Sequence, residues 1–69
     1  MRAYEYVHND RHYAIRLNNV AFVEWNGGSA SNVVVHFVGT NDKLSLIASD
    51  ANAAHHLYDD LMAALHSAD

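Results

Sequence analysis

Histidine and carboxylate are the side chains here with chemistry to offer. The chain holds six histidines and eight Asp/Glu but no cysteine, which excludes thiolate nucleophiles, thiolate metal sites and disulfides. His36 lies inside the run Val33-Val34-Val35-His36-Phe37-Val38. Apolar surroundings disfavour a charged imidazole, and a carboxylate such as Glu24 favours it, so this pair has the chemistry of an acid/base or ligand-binding group. His55-x-x-x-Asp59 and His56-x-x-x-Asp60 set imidazole and carboxylate one helical turn apart, a spacing that suits a transition metal. Two ligands do not make a site, however, and charge pairing on a solvated helix face accounts for both. His8 and His12 flank a turn, where exposure explains them equally well. Catalysis needs a nucleophile, a base and anion-stabilising donors that converge. No such set is visible, so no catalytic residue, metal site or cofactor is expected.

Tyr4, Tyr6, Tyr13 and Trp25 have the ring chemistry of a base-stacking platform. Charge argues against that use. Four Lys/Arg against eight Asp/Glu give a net charge of −4, and phosphate neutralisation is the main source of nucleic-acid affinity. No nucleic-acid partner is expected. Protonating all six histidines would take the charge from −4 to −4 + 6 = +2. Gly27-Gly28 is not followed directly by a helix, so it lacks the context of a phosphate-binding loop. No apolar run has the length of a membrane span and no charged-then-apolar leader opens the chain, so the expectation is a cytoplasmic protein without a membrane partner.

The elements that position these residues read clearly. Sixty-nine residues make a single small domain, 1–69. A first strand, Tyr4-Glu5-Tyr6-Val7-His8, ends at Asn9-Asp10, a two-residue hairpin turn. A long second strand covers residues 12–25. The loop Asn26-Gly27-Gly28-Ser29-Ala30-Ser31-Asn32 follows, then a β-branched strand at 33–38, a turn at Gly39-Thr40-Asn41-Asp42, and a fourth strand at 44–48. Beyond Ser49 the apolar period changes from two to 3.6. Ala54, Leu57, Tyr58, Leu61, Ala64 and Leu65 form one helical stripe, and Ser49 or Asp50 can cap it. The expected fold is α+β: a four-stranded antiparallel β-meander with one C-terminal amphipathic helix on one face. That order resembles the second half of pleckstrin-homology-like domains. The resemblance is one of architecture and carries no site residue across. An alternative places a turn at Asn18-Asn19 and splits the long strand into 13–17 and 20–25.

Pairing the strands through their turns sets His8 against Arg11, Tyr6 against Tyr13, Val23 against Val35, Ala21 against Phe37, and Val35 against Leu46. One face then carries Tyr4, Tyr6, Tyr13, Ile15, Leu17, Ala21, Val23, Trp25, Val33, Val35, Phe37, Leu44 and Leu46, and the helix should lie there. On the reverse face Val20, Phe22, Val34, Val38 and Ile47 surround His36, with Glu24 nearby. One helix cannot cover both faces. Contiguous apolar surface of this kind marks an interface, and two-fold self-association is the commonest way to cover it. The expectation is therefore a non-enzymatic interaction module that forms a homo-oligomer, a dimer first. One alternative is a small-molecule binder or simple enzyme whose pocket forms around His36 and Glu24 between copies. Another is an acidic inhibitor or adaptor of a basic protein, steered by the negative charge.

Overall fold

In the computed structural model, which describes residues 3–67, the chain runs β1 (Ala3–His8), β2 (Arg11–Arg16), a 3₁₀ turn (Leu17–Asn19), β3 (Val20–Glu24), β4 (Asn32–Phe37), β5 (Lys43–Ile47) and α1 (Ala51–Ser67). All pairings are antiparallel. β1 and β2 form one two-stranded sheet, and β3, β4 and β5 form a second in that order. The fold is thus α+β with a C-terminal helix, but with five strands in two sheets rather than one four-stranded meander. The split falls at Asn18-Asn19, as in the alternative reading. A continuous strand over 12–25 would hold the hairpin's tyrosine face away from the core. The 3₁₀ turn bends the chain, buries Leu17, and lets Tyr4, Tyr6, Tyr13 and Ile15 join the cluster built on the second sheet. The Asn19 carbonyl also accepts a hydrogen bond from the Val38 amide at 2.8 Å, which fastens the bend to the end of β4.

The first hairpin has the expected register: Tyr4 pairs with Ile15, Tyr6 with Tyr13 and His8 with Arg11. Its turn residues Asn9 and Asp10 both take positive φ, 49° and 66°, as a two-residue turn matched to strand twist requires. The second sheet departs from expectation twice. A β-bulge between Val20 and Phe22 pairs Val20, not Ala21, with Phe37. Val20 therefore turns inward and packs on the core, while Ala21 is exposed. The β4–β5 hairpin is slipped by two residues, so Val35 faces Leu44 and Val33 faces Leu46. A shift of two keeps every side chain on its original face.

The helix starts where its cap allows. The Asp50 carboxylate accepts from the Ala53 amide at 2.8 Å, satisfying one of the free N–H groups of the first turn. Ala54, Leu57 and Leu61 are its buried residues, and they meet Ile15, Val33, Val35, Leu46 and Ala48. Val33, Val35, Leu46 and Leu61 are wholly shielded from solvent, and burial of each such side chain is worth about 1.5–3 kcal/mol. No buried side-chain polar atom lacks a partner among the described residues. Among them, too, no helix is long and apolar enough to cross a membrane.

Candidate functional site

Alternation places Phe22 and Glu24 of β3, Val34 and His36 of β4, and Lys43, Ser45 and Ile47 of β5 on the face of the second sheet that the helix leaves bare. Phe22 is 53% exposed and Ile47 58%. Val38 lies just past β4, in the turn, and is 62% exposed. Val20 is the one residue expected here that is absent, because the bulge moves it into the core.

Three of these side chains form a connected unit. Phe22 and His36 are cross-strand neighbours. Their rings stack with centroids 4.1 Å apart and planes 12° from parallel. Glu24 sits two residues along β3, and its Oε1 lies 2.9 Å from His36 Nε2. A glutamate accepts at that distance when the imidazole Nε2 carries a proton. The ring is therefore clamped between a phenyl face and a carboxylate, with about a quarter of its side chain exposed and half of the Glu24 side chain exposed. The arrangement fixes one rotamer and leaves the second ring nitrogen as the free polar atom.

The slipped β4–β5 register changes what surrounds this unit. Expected pairing would put Ile47 beside Val34. Instead Lys43 pairs with His36, Ser45 with Val34 and Ile47 with Asn32. Asn32 Nδ2 donates to Ser45 Oγ at 3.1 Å. The apolar residues thus run as a diagonal from Phe22 through Val34 to Ile47, bordered by Glu24 on one side and by Lys43 and Ser45 on the other.

The remaining titratable groups do not converge. His55 Nε2 lies 3.5 Å from Asp59 Oδ2 on an exposed turn of the helix. Among the described residues no three of His, Cys, Asp and Glu come together in a metal-binding group. Two features lie outside the sequence expectation. His55 stacks on Trp25, with centroids 4.6 Å apart, and Trp25 Nε1 donates to the Ala30 carbonyl at 3.0 Å, which pins the glycine-rich loop to the helix. A cleft of about 270 Å³ opens at the tip of the first hairpin, lined by His8, Asn9, Arg11, Tyr13 and Ile47. Alternation from Tyr6 and Tyr13 places the His8–Arg11 pair on the core-side face of the hairpin, and nothing else in the sequence signals the cleft.

No family model, curated protein or solved structure matches the chain, so the reading of these surfaces rests on their geometry.

Proposed function

We propose that this protein is a non-enzymatic interaction module that pairs with a second copy of itself through the helix-free face of its second sheet. The observation that carries the reading is the diagonal of Phe22, Val34 and Ile47, its two ends more than half exposed and Val34 half-buried, on a sheet whose opposite face packs against the helix and the first hairpin. A two-fold axis along β4 lays β3 of one copy over β5 of the other, so the strand carrying Glu24 meets the strand carrying Lys43 and Ser45.

Size sets the strength. Three strands about 4.8 Å apart, rising about 3.3 Å per residue, project a face of roughly 14 by 18 Å. That is well under the ~800 Å² per partner of a standard interface. Association through this face alone is reversible and weak, with a Kd in the micromolar range or above. A cytoplasmic setting suits a chain without cysteine, which draws no stability from an oxidising compartment.

Sedimentation equilibrium between micromolar and millimolar concentration tests the reading. The expected result is a monomer–dimer equilibrium that Val34→Glu shifts toward monomer by at least about tenfold, since two buried, unpaired carboxylates would meet near the axis. A strict monomer throughout that range overturns it.

A second reading has one observation in its favour, the 2.9 Å His36–Glu24 contact. A carboxylate-oriented imidazole on an open face becomes a pocket only when a second copy covers it. A small-molecule site there predicts a ligand-induced thermal shift that His36→Gln abolishes while the dimer persists.

A further inference from the structure

The core-side face of the β1–β2 hairpin changes character along its length. Its cross-strand pairs run Tyr4–Ile15, Tyr6–Tyr13 and His8–Arg11, so the stripe that buries Ile15 ends in an imidazole and a guanidinium. The cleft of about 270 Å³ lies at that end. Beside it the Tyr6 hydroxyl donates to the Ile47 carbonyl at 2.7 Å and holds the hairpin against the end of β5.

The lining runs against the character of the chain. Acidic residues outnumber Lys/Arg eight to four overall, yet the cleft contains a guanidinium and no carboxylate. Arg11 makes no ion pair among the described residues. The Tyr13 hydroxyl makes no hydrogen bond among them either. Asn9 Nδ2 lies 3.2 Å from His8 Nε2, and both residues line the cleft. Two donor groups of the lining, the Arg11 guanidinium and the Tyr13 hydroxyl, are thus without a partner among the described residues. The lining also holds the Tyr13 ring and the Ile47 side chain, and Tyr6 behind it stacks with His8 and with Tyr13, each at 6.3 Å between centroids. The tip is a tight two-residue turn with Asn9 and Asp10 both at positive φ.

The geometry points to a binding site for a small aromatic carboxylate, with its carboxylate on the Arg11 guanidinium and its ring against Tyr13 and Ile47. A planar guanidinium presents two parallel N–H donors that match the two oxygens of a carboxylate. The cleft lies just below the ~300 Å³ at which pockets begin to hold drug-sized ligands, so it takes a single substituted ring and excludes a nucleotide. Inorganic phosphate would engage Arg11 but leave the apolar wall wet.

NMR titration of the full chain with benzoate, benzyl alcohol and inorganic phosphate tests the site. Benzoate is expected to shift the amides of His8, Asn9, Arg11 and Ile47 saturably. Benzyl alcohol, which lacks the charge, and phosphate, which lacks the ring, should bind at least about tenfold more weakly. Arg11→Gln should weaken benzoate by a similar factor, and Arg11→Lys should restore only part of it, because an ammonium cannot make the bidentate pair. Arg11 is exposed and unpaired, so amide dispersion should show both variants folded. The site is overturned by any of three results: no saturable shift in the folded chain, benzyl alcohol or phosphate matching benzoate, or unchanged benzoate affinity in Arg11→Gln. Ile47 borders both surfaces, but Arg11 lies off the helix-free face, so failure of benzoate binding or of the Arg11 variants leaves the self-association reading, which is read by sedimentation, standing.

Discussion

The two faces of the β3–β4–β5 sheet are built from similar residues and have opposite fates. On one, Val33, Val35 and Leu46 are sealed under the helix and beside the first hairpin. On the other, Phe22 and Ile47 are more than half exposed, and His36 has an aromatic and a carboxylate for company. Side-chain type therefore does not decide which face of this sheet is core. The supply of covering elements does, and one helix with one folded-over hairpin suffices for a single face. The bare face keeps its apolar residues, and what distinguishes it is polar punctuation: Glu24, Lys43, Ser45 and Asn32 interrupt the diagonal.

The contrast can be broken most sharply at its covered side. Leu61→Ala empties a wholly buried site and should cost about 2–5 kcal/mol, read from urea unfolding, which for a domain of this size approaches its entire stability. The hairpin's share of the cover is tested by alkali. Burial raises the tyrosine pKa of both Tyr4 and Tyr6 above the ordinary value of 10.0, with Asp60 adding to the effect at Tyr4 and Tyr13 at Tyr6. A raised folded-state value means that the unfolded chain loses these protons first. Stability should hold below pH 10 and fall as the pH climbs through and beyond it, and Tyr6→Phe should flatten that decline. On the bare side effects on the isolated chain should be slight. Phe22→Ser should change monomer stability by no more than about 0.5 kcal/mol, although it removes the ring beneath His36. A loss comparable to that of Leu61→Ala would mean that the two faces are not energetically distinct.

The parts legible in the sequence are those where a local signal has one solution. Asn9-Asp10 between alternating strands fixes the first hairpin, and Asp50 ahead of a 3.6-residue stripe fixes the helix. The parts that were not legible are degenerate. Val20, Ala21 and Phe22 are all apolar, so an extra residue in the strand leaves no mark on the alternation. The slip of the β4–β5 hairpin by two residues preserves every inward side chain, and only the loop length registers it. For the candidate face, sequence supplied Phe22, Glu24, Val34, His36 and Ile47, but it also supplied Val20 and missed that Lys43 stands beside the imidazole. The hairpin-tip cleft depends on where the first sheet meets the second, which no single segment encodes.

The bulge in β3 has a bearing on how far assembly can go. A three-stranded sheet has two open rims, and each is a template onto which another chain can add a strand without limit. Here one rim is kinked by the extra residue between Val20 and Phe22, and on the other the Tyr6 hydroxyl already occupies the Ile47 carbonyl while Lys43 guards the opposite end. Fibre growth by strand addition is hindered on both sides, a condition that the proposed face-to-face pairing needs if it is to stop at two copies.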